Sequence, residues 1–260
     1  MLSLNQSRTK GFNPALLLLT GGLLLGLSSC ATAPATKAAL DTRTEADLNA
    51  MTTKLAAAKT LRIVGSRTAP PGRYAGLKVA EVASGTVTVQ RPNVLVSKLK
   101  SKSGDRTIAL AGGNVTLVDY AAGTHAVVKA RGDIDDTLRS IEKTYGIMPP
   151  VAELLVNRPK EFLLDGVTAG RFVNEEKVDG LVCDHLSFTQ TELTWDLWVA
   201  TTDHLPRKLV VVYPRTDDRE ARTLTARISK WELDVPLSEN ELKAQIPAKS
   251  MAIDMIPLSE

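Results

Sequence analysis

Few side chains in this sequence have the types and spacing that chemistry requires. One of them is Cys30, which follows an apolar stretch in "LLLGLSSCATAPAT", from Leu23 to Thr36. Arg8 and Lys10 precede an almost uncharged, leucine-rich run over 14–27. This layout is typical of a secretory signal peptide, and its apolar core is too short and isolated to indicate a spanning helix. The Cys30 thiol at the end of such a leader is therefore a candidate site of covalent modification.

The residues before the thiol, Leu27, Ser28 and Ser29, match the bacterial lipobox, in which a leucine and two small residues precede the cysteine. In proteins with this signal the thiol is diacylated, the leader is cut and the new amino terminus is acylated. The alternative is an ordinary signal peptide or anchor with an incidental cysteine. We predict a leader over 1–29, an acylated Cys30 and a flexible tether over 30–40. Several lipid chains, each contributing about 0.8 kcal/mol per buried methylene, would hold the protein on a membrane.

The residue after the cysteine is Ala31 rather than aspartate. By the usual enterobacterial sorting rule this residue directs a lipoprotein to the outer membrane. The sequence therefore predicts a lipid-anchored protein of the bacterial cell envelope, on the outer membrane and facing the periplasm.

The remaining candidates for chemistry are weak. Cys183 and His185 share a face of a predicted strand, but neighbours two apart on one strand diverge too far for a nucleophile and its base. A buried thiol beside a surface imidazole is the simpler interpretation. The aspartates Asp133, Asp135 and Asp136 lie at a predicted helix start, where the helix dipole favours negative charge. We predict a protein that is not an enzyme and has no catalytic residue, metal site or cofactor.

Composition excludes other classes of protein. Removing the leader leaves 231 residues, enough for a sizeable core. The leader holds two of the 32 basic residues and none of the 29 acidic ones, so the mature chain carries 30 against 29. This balance, without a basic stripe, gives no argument for nucleic acid. With Cys30 acylated, Cys183 has no partner for an intrachain disulfide.

Hydrophobic periodicity predicts one helix and then six strands. Residues 41–60 place Leu48, Met51, Leu55 and Ala58 on one helical face. The period then changes to alternation between turn residues. The six strands are expected in "LRIVGSRT", "VASGTVTVQRPN", "VLVSKLK", "TIALAGG", "VTLVDY" and "HAVVKAR".

The second half of the domain begins with helices and returns to strands. Asp133 can cap a helix that Gly146 ends, and Pro149-Pro150 is expected to start a shorter helix that closes at 157–159. Five strands follow, in "GRFVNEEKV", "GLVCDHLSFT", "TWDLWVAT", "PRKLVVVYP" and "TLTARISKWEL". The predicted fold class is α+β: a curved antiparallel unclosed half-barrel of about eleven strands over 41–260, with an N-terminal helix and a two-helix lid, 133–156, on the concave face.

Several words of the sequence resemble a known superfamily. "GNVTLVDYAAGTHAVV" resembles a strand-turn-strand segment of the lipoprotein localisation factors LolA and LolB. "DIDDTLRSIEKTYGIMPPVAELL", "VDGLVCDHLSF", "TWDLWVATTDHLPRKLVV" and "RISKWEL" resemble an uncharacterised family of predicted periplasmic proteins grouped with them. The resemblance covers about residues 45–235. It implies a half-barrel with a helical lid around an apolar cavity for acyl chains, admits relatives that regulate envelope stress, and implies no catalytic residue.

Two functions remain open. The first is a lipid-anchored periplasmic protein that binds an acyl chain or another hydrophobic ligand under its lid, possibly in lipid or lipoprotein trafficking. The second is a regulatory or scaffold module that binds a periplasmic protein partner and has no ligand cavity. The candidate cavity and lid residues are apolar side chains of the predicted strands and helices: Val87, Val89, Leu117, Ile134, Leu138, Ile141, Tyr145, Leu154, Trp198, Leu209, Val211 and Ile228.

Overall fold

The structure, a computed structural model, describes residues 38–69, 80–149, 151–215 and 221–258. The chain divides into two units, Met1–Ala35 and Thr36–Glu260, and every described residue belongs to the second. The predicted leader, the lipidation at Cys30 and most of the tether lie outside the described residues. Within the described ranges, no helix combines the length and the apolar character needed to cross a membrane.

Thirteen strands, three helices and one turn of 3-10 helix make up the described structure. In chain order they are β1 (Ala39–Leu40), α1 (Thr42–Ala57), β2 (Thr60–Ala69), β3 (Glu81–Gln90), β4 (Val94–Ser101), β5 (Arg106–Ala111), β6 (Asn114–Asp119), β7 (Thr124–Lys129), α2 (Ile134–Tyr145), the 3-10 turn (Ala152–Leu154), α3 (Pro159–Leu164), β8 (Val167–Val178), β9 (Leu181–Gln190), β10 (Thr194–Ala200), β11 (Pro206–Tyr213), β12 (Arg222–Leu233) and β13 (Met251–Ala252).

All thirteen strands join one unclosed sheet in the order β1-β8-β9-β10-β11-β12-β2-β3-β4-β5-β6-β7-β13. Neighbours from β8 through to β7 pair antiparallel, and only the two short edge strands, β1 on β8 and β13 on β7, pair parallel. The two hairpin series of the sequence meet where β12 pairs with β2. The predicted α+β half-barrel is thereby confirmed, with two strands more than expected.

The structure differs from the expected lid after Gly146. The helix expected to start at Pro149-Pro150 is only the 3-10 turn Ala152–Leu154, and a helix begins instead at Pro159, which was expected to end one. Proline is well tolerated in the first turn of a helix because the missing N–H would have no partner there. Proline was expected to end a helix at this point, but Pro159 instead starts α3.

Local capping explains where the two longer helices begin and end. The Asp41 carboxylate accepts the backbone N–H of Thr44 at 2.8 Å, and Asp133 accepts that of Asp136 at 3.1 Å. These bonds satisfy donors that a helix start leaves without partners. Gly146 ends α2 with φ of 65°, in the left-handed region that favours glycine.

The helices pack against one face of the sheet, which we call the inner face. Together they form the main hydrophobic core. Leu48, Met51 and Leu55 of α1 are fully buried there, as the helical period predicted. Residues 134–141 of α2 contribute to the same cluster. Burial of these stripes from water supplies the main driving force for docking the helices, at about 25 cal/mol per Å² of apolar area.

Two glycines let neighbouring strands approach closely beneath the core. Gly65 and Gly85 are register partners on β2 and β3. A Cβ atom on Gly85 would collide with the carbonyl oxygen of Lys98, and one on Gly65 with that of Arg227. Backbones of neighbouring strands can approach this closely only where a side chain is absent.

The start of α1 docks on β8 and β9 through charges. The Arg43 guanidinium donates to Glu175 at 2.6 Å and to the buried Asp184 at 2.7 Å. Asp47 lies on the same helix near Asp184. Burial of Asp47, with the neighbouring Asp184 carboxylate, raises its pKa to about 6. Folding therefore favours the protonated form of Asp47 in mildly acidic solution.

We expect Asp47→Asn to stabilise the domain at neutral pH. In the unfolded chain Asp47 ionises near its ordinary pKa of 3.8, whereas the folded group ionises only near 6. The wild type should lose stability as pH rises through this window, and the variant should not. The gain should be about 1 kcal/mol at pH about 7.5 and near zero at pH about 3, below the ordinary pKa of the unfolded group, allowing for solvent screening. Urea unfolding at both pH values measures it. The exposed Asp254→Asn is the control, and equal gains at both pH values would contradict the assignment.

Candidate functional site

A cavity of about 380 Å³ lies between the inner face of β4–β7, the end of α2 and residues near the C-terminus. We call it the principal cavity. Its walls are mainly apolar, formed by Leu99, Ile108, Leu117, Ala126, Tyr145, Ile147, Met148, Ile253, Met255 and Ile256. Well-packed interiors contain few voids larger than a water molecule. A space of this size and lining is therefore a candidate ligand site rather than a packing defect.

The floor of the principal cavity is one register row of the sheet. Ser97 pairs with Ile108, Ile108 with Leu117, and Leu117 with Ala126, across β4 to β7. Paired residues on antiparallel strands project to the same face, so strand alternation alone sets this row on the inner side. Ser97 is the one hydroxyl in it.

The roof is formed by residues 251–258, which we call the C-terminal strap. Two backbone bonds hold it to β7 and the turn before it: Met251 N–H donates to Gly123 O at 2.9 Å, and Ile253 N–H donates to His125 O at 2.8 Å. Leu258 N–H donates to Thr144 O of α2 at 2.8 Å. The strap is apolar yet open to solvent, since Ile253 is 47% exposed and Ile256 is 86% exposed.

Four charged side chains close the other end of the principal cavity, and we call Arg67, Glu81, Arg106 and Asp119 the charged cluster. Glu81 accepts from Arg67 at 3.2 Å and from Arg106 at 2.9 Å. Arg106 Nε also donates to Asp119 at 2.9 Å. Arg67, Arg106 and Asp119 line the cavity directly.

Hydrogen bonds favour the ionised forms of both carboxylates in the charged cluster. Burial would raise the pKa of Glu81, but hydrogen bonds from Ser103, Ser101 and Arg106 outweigh it and hold that pKa below its usual value. Burial likewise opposes ionisation of Asp119, whose pKa is lowered by the backbone N–H of Ala122 and by Arg106. Two cations thus balance two anions. The polar segment "KSKSGDR" supplies the three side chains that donate to Glu81 in this way: Ser101, Ser103 and Arg106.

The structure distributes the predicted cavity residues over several places. Leu117 and Tyr145 line the principal cavity. Leu209 and Val211 line a second cavity of about 230 Å³ beside α2 and α3, and Val87 and Ile228 border a space of only about 20 Å³. The others on the inner side are packed in the main core: Val89, Ile134, Leu138, Ile141 and Leu154. The predicted lid stripe is therefore core, except for Tyr145.

Trp198 does not join these residues. It belongs to a smaller cluster on the opposite face, with Val178, Cys183 and Ala200. Trp195, three positions earlier on β10, faces inward and stacks on Phe188 at 3.9 Å between ring centroids. Positions an odd number apart on a strand point to opposite faces, and of this pair the structure turns Trp195 inward.

Cys183 and His185 lie outside the cavities described above. Burial raises the pKa of the Cys183 thiol, whereas an activated nucleophile needs a lowered one. The His185 ring stacks on Trp198 at 4.2 Å, and its Nε2 lies 3.0 Å from Asp196 Oδ1. Among the described residues, no three His, Cys, Asp or Glu side chains gather in a way that could hold a metal ion.

Sequence reasoning missed several groups around the principal cavity. Ser97 lies two positions from Leu95 and from Leu99 in "VLVSKLK" and so shares their face, which means that its inward position could have been read from the period. The strap "MAIDMIPL" also shows apolar residues, but its two-residue strand is too short for a period. Nothing in the sequence alone indicates that Arg67 and Glu81 meet, although Arg67 lies on a predicted strand and Glu81 directly precedes one.

Comparisons with known proteins give one family and distant structural likenesses. A family profile described as "Predicted periplasmic protein (DUF2092)" matches residues 44–256. A search of curated proteins finds no match. An uncharacterized conserved protein from Thermus thermophilus has a similar structure, with 8% identity, a TM-score of 0.48 and coverage of 82% of this chain and 99% of its own.

Two further solved structures show the same kind of likeness. The Mycobacterium tuberculosis lipoprotein LppX is 14% identical with a TM-score of 0.45, covering 75% of this chain and 98% of its own. The LolA superfamily protein NE2245 from Nitrosomonas europaea is 11% identical with a TM-score of 0.35, covering 77% and 97%.

Proposed function

The chain belongs to the DUF2092 family of predicted periplasmic proteins, as the resemblance in its sequence predicted, and on this premise we propose that it binds a hydrophobic ligand, such as an acyl chain, in the principal cavity. The observation that carries the proposal is the cavity itself: about 380 Å³, bounded largely by apolar side chains. Small-molecule sites in proteins fall in the range of about 300–1,000 Å³ with mostly apolar walls. Binding proceeds by moving the apolar area of the ligand out of water.

The predicted leader supports the rest of the proposal. A periplasmic family fits a chain that starts with an export signal, and the lipobox supplies an anchor at Cys30. In this proposal the domain works at the periplasmic face of a membrane, where acyl chains are available. The mechanism needs no catalytic group.

One observation favours the second candidate, a module that binds a protein partner. Apolar side chains of the C-terminal strap are exposed beside β7, including Met251, Ile256 and Leu258. Exposed apolar patches mark interaction sites in many proteins. A partner bound there would also cover the mouth of the principal cavity. A measurement of ligand binding therefore distinguishes the two functions.

We expect the unit 36–260 to bind N-phenylnaphthylamine, an apolar dye that fluoresces in apolar surroundings. Ala126→Phe places a ring in the cavity and should weaken binding by about tenfold or more, because the space is taken by the protein itself. The matched control is Val127→Phe, the next residue on β7, which faces the other side and is 49% exposed. Fluorescence titration measures both, beside a thermal melt. A flat titration with folded wild type would sink the ligand proposal and favour the protein-binding module.

The anchor is tested in the full-length chain. Cys30→Ser should leave an unprocessed form without lipid, because the acylated thiol is lost. Cys183→Ser, which changes the other cysteine of the sequence, should be processed and acylated normally. Metabolic labelling with a radioactive fatty acid and mass spectrometry of the N-terminal peptide distinguish the two. A normal acylated peptide from Cys30→Ser would contradict the assignment, and fractionation of the wild type with the inner membrane would overturn the predicted sorting by Ala31.

A further inference from the structure

The hydroxyl of Ser97 is a polar group in an apolar floor. Ser97 is 1% exposed and lines the principal cavity. Its register partners on the two neighbouring strands are Val87 and Ile108. Among the described residues, its Oγ has no hydrogen-bond partner. A buried hydroxyl without a partner is energetically costly. A ligand group that reaches it from inside the cavity therefore gains a hydrogen bond without competition from water.

The charged cluster restricts what that group can be. Arg67 and Arg106 face the cavity, but their charges are already balanced by Glu81 and Asp119 through the ion pairs described above. Asp119 also lines the cavity, so a carboxylate head would lie against a second carboxylate. Entry of an anion would have to break an existing ion pair, and a cation would meet the two guanidinium groups. An uncharged head avoids both costs.

Resting on the proposed function, we propose that the ligand is an acyl chain with an uncharged polar head, an ester or a hydroxyl, that hydrogen-bonds to Ser97 Oγ. The chain then runs along Ile108 and Leu117 toward Tyr145 and the C-terminal strap. In this arrangement the charged cluster determines ligand specificity, because it disfavours binding of head groups that carry a net charge.

Competition against N-phenylnaphthylamine tests the proposal on the unit 36–260. The competitors are palmitic acid, ionised at pH about 8, and its glycerol monoester, which has the same acyl chain without the charge. We expect the ester to bind at least about tenfold more tightly than the acid. Ser97→Ala should weaken ester binding by about three- to tenfold, the range for one lost hydrogen bond, and should weaken it more than it weakens dye binding. Ser84→Ala, at an exposed position on β3, is the matched control.

The outcomes separate this inference from the proposed function. If the dye binds but the acid competes as well as the ester, or if Ser97→Ala leaves ester affinity unchanged, the head-group inference is wrong and the cavity remains a ligand site. If folded protein binds neither dye nor lipid, both proposals fail together. A thermal melt of each variant shows that the protein compared is folded.

Discussion

Leu138→Asp is expected to unfold the domain rather than merely abolish ligand binding. Leu138 is 1% exposed, between Ile134 and Ile141 in the main core. A carboxylate there loses the packing of the leucine and brings an uncompensated charge into an apolar environment. The combined loss should be about 4 kcal/mol or more, a large part of the roughly 5–15 kcal/mol that holds a domain together. Circular dichroism and a urea titration measure it.

Tyr145→Asp, one helical turn beyond Ile141, is the informative comparison. Tyr145 is only partly buried and lines the principal cavity. This variant should keep a cooperative melt and lose most of its affinity for the apolar dye, since a charge then stands in the cavity wall. A folded Leu138→Asp protein that had lost only binding would instead support the sequence-based hypothesis that the whole stripe of α2 is a movable lid.

Arg91→Met should lower the free energy of unfolding by about 3 kcal/mol, although Arg91 is not among the predicted site residues. Its guanidinium donates to backbone carbonyls of Ala58 and Leu55 at the end of α1, both at 3.0 Å, and to Leu155 at 3.0 Å. It also donates to the carbonyl of Val156. One side chain thus ties α1 to the segment that follows α2. Removing it leaves several carbonyls in a largely buried region without donors.

Two further variants isolate the cause. Arg91→Lys keeps the charge but cannot reach acceptors in several directions at once, so it should recover only a small part of the loss. Arg131→Met removes an arginine whose side chain is exposed and should change stability by less than about 0.5 kcal/mol. Urea unfolding compares all three with the wild type. Full recovery by lysine would show that charge, and not the fork of donors, holds the two segments together.

The strands of this fold are accessible to sequence reasoning because their alternation repeats. All eleven longer strands lie where the period of two predicted them, and the caps at Asp133 and Gly146 bound α2 as expected. Strands β1 and β13 were missed because two residues cannot show a period. The helix after Pro149 was misplaced because a proline indicates a boundary without saying on which side of it the helix lies.

The site was harder to predict than the fold. Apolar alternation identifies the inner face, but Val89, whose side chain is packed, and Leu117, which borders the principal cavity, look alike in the sequence. Which positions remain open is decided by how far α2 covers the sheet and where the C-terminal strap returns. Those are contacts between segments distant in sequence. Arg91 escaped notice for the same reason, since its acceptors lie more than thirty residues away on either side.

The two parallel edge strands have a consequence for how neighbouring copies of the protein behave. An open sheet presents rows of unpaired N–H and C=O groups at its borders, and these are templates for strand-to-strand aggregation. Here β1 occupies part of the border of β8, and β13 part of that of β7, each contributed by a segment near one end of the domain. The rest of β8 carries charged side chains that disfavour pairing with another strand: Arg171, Glu175 and Lys177. If Cys30 carries the proposed anchor, copies of the protein are confined to a membrane surface, where short edge strands of this kind would hinder strand pairing between adjacent copies.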